Sequence, residues 1–84
     1  MSVTDRAYDA LTEAYDTLRL IHKDLEDVRQ DVLDAGFDLD EAGHLPGAEP
    51  DWRKDAGKAE VVADGLDVAI HEVMQQIKRL RTML

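Results

Sequence analysis

Cysteine is absent from this 84-residue chain. Disulfide bonds, thiolate zinc sites and thiol catalysis are therefore excluded. Both prolines, Pro46 and Pro50, fall in one short stretch, so the long segments on either side contain no helix-breaking proline. Aromatic residues make up only 5% of the chain, and any core must therefore be built mainly from aliphatic side chains and alanine.

Positive charge and long apolar runs are also scarce. Nineteen acidic residues outnumber ten basic ones, which gives a net charge of −9. A surface of this sign repels phosphates and anionic lipids, so we expect neither direct nucleic-acid binding nor a membrane partner. No apolar run approaches the ~20 residues of a membrane span, and the N-terminus lacks a signal-peptide layout. These features predict a cytoplasmic protein.

A seven-residue apolar repeat runs from residue 3 to residue 35. One row consists of Leu11, Leu18, Leu25 and Val32, and a second row, offset by three, consists of Ala7, Ala14, Ile21, Val28 and Ala35. Two such rows are typical of a long amphipathic helix that packs in the coiled-coil manner. Ser2 and Asp5 are suited to cap its start, and Gly36 is suited to end it.

The repeat returns over residues 51–84 and predicts a second helix over residues 51–83. Its rows are Trp52, Ala59, Leu66, Val73 and Leu80, and Ala56, Ala63, Ile70, Ile77 and Leu84. Pro50 is suited to the first turn of this helix. Two helices of similar length, joined by an acidic loop over residues 36–50, predict an all-α fold. We expect a single domain over residues 1–84, folded as an antiparallel two-helix hairpin with long helices.

Apolar side chains extend beyond these rows. Six of them widen the apolar surface past what one partner helix can cover: Tyr8, Tyr15, Leu20, Val62, Met74 and Met83. A second copy of the hairpin is the simplest partner that could bury this surface. We therefore expect a homodimer, in the form of a four-helix bundle, with these six residues as its self-association stripe.

The loop sequence FDLDEAGHLPGAEP partly resembles the calcium-binding loop of EF-hand proteins. Loop positions 1, 3, 6 and 12 fall on Asp38, Asp40, Gly43 and Glu49. Position 5 is Ala42, which supplies no side-chain oxygen, and the flanking segments keep an unbroken heptad pattern. We therefore expect a solvated linker and no metal or other cofactor. Asp38, Asp40 and Glu49 are the ligands that the calcium alternative would need.

A transition metal between two copies is a further alternative. His22 and His71 each lie beside the apolar rows, and each has a carboxylate one helical turn away, from Glu26 and Asp67 respectively. Bundle metal sites use such pairs when several of them meet at one level. Within one antiparallel hairpin the two histidines lie several turns apart, so they would meet only across a dimer.

The chain offers little for catalysis. It has no Gly-rich phosphate loop and no hydroxyl with a neighbouring base and orienting acid. We therefore expect a non-enzymatic protein–protein interaction module that self-associates and also binds a partner with a basic surface. The predicted contact is an acidic tip made of Asp31, Asp34, Asp38, Asp40 and Glu41. The alternatives are an acidic inhibitor that mimics nucleic acid in a basic groove of its target, and a metal-binding helical bundle.

Overall fold

The computed structural model describes residues 2–84 as two α-helices. Helix α1 spans Val3–Gly43, helix α2 spans Pro50–Met83, and residues 44–49 connect them. No strand occurs in this described part of the chain. The helices pack antiparallel into a hairpin whose Cα atoms extend over 68 × 17 × 12 Å. The predicted all-α helical hairpin is therefore confirmed.

Both helices begin where the sequence predicts. The Asp5 N–H donates to the Ser2 hydroxyl at 3.1 Å, and the Ser2 N–H donates to the Asp5 carboxylate at 3.4 Å. This reciprocal pair is a capping box, which satisfies two backbone donors at the start of α1. Helix α2 starts at Pro50, whose fixed φ and missing N–H suit the first helical position.

The first helix is longer than the sequence predicts. An end at residue 35 and a loop over residues 36–50 are wrong, because α1 continues to Gly43. Gly36 does not take the left-handed conformation of a helix-ending glycine; within residues 2–84, only Gly47 has a positive φ, of 80°. A Cβ at Gly36 would lie 3.2 Å from the Cβ of Ala59. Its missing side chain therefore permits close helix packing and does not end the helix.

The length of α1 leaves its first turns without a partner helix. Arg29 pairs with Asp67 across the hairpin. From Asp67 to the end of the chain is 17 residues, and the same distance back from Arg29 reaches Thr12. Residues 3–10 therefore extend beyond the end of α2. We call this segment the overhang, and the opposite, loop-containing end of the hairpin the tip.

The two helices differ in how well their contact rows follow the prediction. In α2 both predicted rows face α1, except that Leu84 is exposed. In α1 the row of Leu11, Leu18, Leu25 and Val32 also lies at the contact as predicted. The predicted place of the second row of α1 at the contact is wrong. Its residues Ala14, Ile21, Val28 and Ala35 are exposed, and α1 instead faces α2 with Tyr15, His22, Arg29 and Gly36.

Little of the hairpin is shielded from water. Among residues 2–84 only Ala56, Ala63 and Ile77 are buried, and all three belong to α2. The leucines of α1 at the contact are half-buried. The two helices thus form one thin apolar layer. Neither helix, within the described residues, is long and apolar enough to cross a membrane.

Candidate interaction surface

The contact between the helices has two flanks, which form the two long sides of the hairpin. An open groove of about 780 Å³ near the tip is lined by Leu33 and Asp40 of α1 and by Arg53 and Glu60 of α2. In both helices these residues come one position after the row that contains Leu11 in α1 and Trp52 in α2. The residues that directly follow these two contact rows therefore lie on one side of the hairpin. Each helix has a second contact row, which contains Tyr15 in α1 and Ala56 in α2, and the residues that directly precede it lie on the opposite side.

We call the side with the groove the charged face. Its positions are Asp5, Thr12, Arg19, Glu26, Leu33 and Asp40 of α1, and Arg53, Glu60, Asp67, Met74 and Arg81 of α2. Eight of these eleven residues carry a charge. Arg29 Nε lies 2.7 Å from Asp67 Oδ1, the one ion pair that links the helices within residues 2–84. The groove on this side is also lined by Phe37, which is 71% exposed, so the charged face includes one apolar pocket near the tip.

We call the opposite side the apolar face. Its positions are Ala7, Ala14, Ile21, Val28, Ala35 and Ala42 of α1, and Asp55, Val62, Ala69, Gln76 and Met83 of α2. Only Asp55, near the tip, carries a charge. The four large apolar side chains of this face expose between 41% and 54% of their surface. An exposed apolar strip along the whole hairpin is typical of an interaction site.

The predicted self-association stripe does not lie on one face. Val62 and Met83 belong to the apolar face, Met74 to the charged face, Tyr8 and Tyr15 to the row of α1 directed at α2, and Leu20 to the outer side of α1. The Arg19 guanidinium lies 5.8 Å from the centre of the Tyr15 ring, so this tyrosine is partly covered from the charged side.

Ile21 and Val28 form the middle of the apolar face, although the sequence pattern assigns both to the contact with α2. The signal that points to their surface position is a pair of glycines, Gly36 and Gly43, one heptad apart. Such spacing on a helix indicates close approach of a neighbouring helix. If the glycine row is taken as the contact, the row of Ile21 and Val28 falls outside it.

Most of the predicted acidic tip lies on the outer side of α1. Asp31, Asp34, Asp38 and Glu41 follow one another at three or four residues, so their side chains line up along the helix. Asp24 and Asp27 continue the same line. We call these six residues the acidic ridge; no basic residue occupies these positions. Asp40 is not part of it: its carboxylate lies 3.7 Å from His44 Nε2, on the charged face.

The alternative calcium loop is not formed. Asp38 and Asp40 belong to helix α1, where residues two positions apart point to nearly opposite sides, and Glu49 is the residue that precedes α2. His22 Nδ1 lies 2.9 Å from Glu26 Oε1 on the same helix, far along the hairpin from the tip. In residues 2–84 no group of three or more His, Asp and Glu side chains is placed to hold a metal ion.

No family model matches this sequence, and no curated protein and no solved structure matches it either.

Proposed function

We propose that this chain is a non-enzymatic interaction module whose apolar face binds a second copy, which gives a homodimeric four-helix bundle. The apolar face is the observation that supports this proposal. Ten of its eleven positions are uncharged, and Ile21 and Val28 at its centre are exposed in the single hairpin. A second hairpin on this face removes those side chains from water, which is the main driving force for association.

The size of the apolar face supports the same proposal. The paired part of α1, residues 11–43, spans about 50 Å at 1.5 Å per residue. With the 17 Å extent of the hairpin, the face covers roughly 850 Å², close to the ~800 Å² per partner of stable specific interfaces.

The thin layer between α1 and α2 is a further reason for a partner. Leu18, Leu25 and Leu66 sit at the contact but are only half-buried. Each helix has two contact rows, and these leucines belong to the row that lies next to the apolar face. A second pair of helices on this face completes their burial and converts one apolar layer into a bundle core.

Light scattering at two concentrations tenfold apart tests self-association. We expect twice the chain mass of 9.4 kDa at both concentrations. Val28→Lys should yield the monomer mass, because the lysine ammonium group would lose its hydration in the middle of the dimer interface. The matched control is Val68→Lys: Val68 is 64% exposed on the outer side of α2, against 47% for Val28, and its variant should remain dimeric.

Two results would contradict this proposal. A monomer mass for the unmodified chain at both concentrations would show that the apolar face has no affinity for a second copy. A dimer that survives Val28→Lys but not Val68→Lys would place the interface on the outer side of α2.

We further propose that the acidic ridge binds a second protein that carries a basic patch. Asp27, Asp34 and Glu41 of the ridge lie on the side of α1 opposite α2 and stay accessible when the apolar face is covered, whereas Asp24, Asp31 and Asp38 border that face. Neighbouring like charges three or four residues apart destabilise a helix by about 0.2–0.5 kcal/mol per pair. The ridge contains five such pairs between Asp24 and Glu41. Their repulsion lowers the stability of α1, and a helix with a purely structural role would not need it.

Charge reversal tests the ridge with a decalysine peptide as the basic probe. The triple variant Asp31→Lys, Asp34→Lys and Asp38→Lys changes the net charge as much as the control triple Asp9→Lys, Asp16→Lys and Glu72→Lys. We expect the ridge variant to lose at least tenfold more affinity for the peptide than the control, with unchanged helical circular dichroism. Equal losses would show that net charge alone attracts the peptide.

The ridge also supports the nucleic-acid mimic as a second candidate. Its carboxylates recur about every 5 Å along the helix axis, compared with one phosphate per about 3.4 Å along each strand of B-DNA. A target of such an inhibitor would release this chain when a short DNA duplex is added in excess. The target of an ordinary adaptor would retain it.

A further inference from the structure

The orientation of the second copy follows from three features of the hairpin. We propose that two hairpins pack antiparallel, with α1 against the partner's α1, about a twofold axis that crosses between Asp24 and Leu25. The overhang of each copy then lies against the tip of the other. This arrangement rests on the proposed self-association through the apolar face.

The first feature is the order of small and large side chains on α1. The apolar-face row reads Ala7, Ala14, Ile21, Val28, Ala35 and Ala42, which is small, small, large, large, small, small in both directions. In a twofold contact, if residue i meets residue j, then j also meets i. The proposed axis pairs Ile21 with the partner's Val28, and Ala14 with the partner's Ala35.

Helix α2 supplies the larger side chains where this row is small. The register set by Arg29 and Asp67 places Val62 beside residue 34 and Met83 beside residue 13. Each therefore adjoins an alanine of the α1 row. Ala69, the smallest apolar side chain of the α2 row, adjoins residue 27, next to Val28. A small side chain thus lies beside a larger one at these three levels, as a densely packed bundle layer requires, whereas Gln76 adjoins Ile21.

The second feature is the separation of charge along the hairpin. The half that contains the tip, residues 26–69, has thirteen acidic and four basic residues, a net charge of −9. The other half, residues 2–25 and 70–84, has six of each and is neutral. A parallel dimer places the two strongly negative halves side by side. The antiparallel dimer places each of them against a neutral half that contains Lys78, Arg79 and Arg81, and complementary charge favours that orientation.

The third feature is the overhang. Residues 3–10 have no part of α2 beside them in their own hairpin, and Val3 and Tyr8 are exposed there at 75% and 51%. In a parallel dimer the partner's α2 ends at the same level and the overhang stays uncovered. In the antiparallel dimer the tip of the partner reaches it, and Ala7 meets the partner's Ala42.

Energy transfer between dyes on introduced cysteines tests this orientation, since the chain contains no cysteine of its own. Glu49→Cys marks the tip, where the side chain is exposed and makes no capping hydrogen bond. Asp9→Cys marks the exposed overhang. Two mixtures are measured: donor and acceptor both at Glu49→Cys, and donor at Glu49→Cys with acceptor at Asp9→Cys.

The two orientations give opposite results in these mixtures. In the antiparallel dimer the tips lie about 65 Å apart and a tip lies within roughly 25 Å of the partner's overhang, by helix rise. With dyes whose half-transfer distance lies between these values, we expect weak tip-to-tip transfer and strong tip-to-overhang transfer. Strong tip-to-tip transfer, alone or together with the other, overturns the antiparallel dimer while self-association stands. No transfer in either mixture, with a monomer mass by light scattering, overturns self-association and the arrangement together.

Discussion

The charged face and the apolar face flank the same contact between α1 and α2, yet they differ in almost every position. Eight of eleven residues are charged on one, and one of eleven on the other. A hairpin that worked alone would gain solubility from charges on both flanks, because both would face water. The charges are concentrated on one flank, and this is why we propose that the other binds a second copy.

The largest change in stability is expected from a substitution at Ala63, which lies between the two helices. This residue is 1% exposed, and an aspartate there would bury a charge without a partner. We expect Ala63→Asp to lower the free energy of unfolding by several kcal/mol, since unpaired buried charges are among the most destabilising changes. A urea titration followed by circular dichroism measures this. Ala10→Asp, an exposed position of the overhang, is the control, and equal midpoints for both variants would contradict the assigned contact.

An intermediate effect should distinguish the two faces through Val62 and Met74, which the sequence places in one stripe. Val62→Lys puts a charge on the apolar face and should raise the dimer dissociation constant at least tenfold, because each copy must bury the new ammonium group. Met74→Lys adds a charge to a face that already carries eight, and should leave the dissociation constant within about threefold. Analytical ultracentrifugation measures both constants. The opposite order would assign the interface to the charged face.

The smallest effect concerns two glycines with different surroundings. A Cβ at Gly65 meets no atom within 4 Å, so Gly65→Ala should raise the free energy of unfolding by about 0.5–1 kcal/mol through helix propensity. Gly36→Ala gains the same propensity, but its Cβ would lie 3.2 Å from that of Ala59. We expect its melting temperature to fall below that of Gly65→Ala. A higher melting temperature for Gly36→Ala would show that the helices can separate without cost.

The contact rows of α2 could be read from the sequence, whereas those of α1 could be read only in part. Helix α2 has two apolar rows, so the choice of its contact side is unambiguous. Helix α1 has a clear central row of leucines with a candidate on each side: the row of Ile21 and Val28, and the row of His22 and Arg29. Hydrophobicity selects the first of these. The structure turns the second toward α2, because Gly36 in that row allows close approach to Ala59.

The candidate surfaces were predictable to different degrees. Four of the five acidic-tip residues do line up on α1, because three- and four-residue spacing brings carboxylates together on any helix. Asp40 breaks this spacing and lies elsewhere. The predicted self-association stripe does not form one surface, because Met74 and Val62 flank the contact on opposite sides. Which side a residue occupies depends on how the two helices pack, and the sequence pattern of one helix does not contain that information.

Local properties of the chain set the number of helices, their starts at Val3 and Pro50, and the excess of apolar surface over what one hairpin can bury. These depend on spacing along the sequence and on backbone chemistry, both of which are visible in the sequence itself. The tertiary structure decided that α1 continues through Gly36 and that Ile21 and Val28 face outward. Three adjacent rows of α1 compete for the two that one neighbouring helix can cover, and only the packing of Gly36 against Ala59 selects between them.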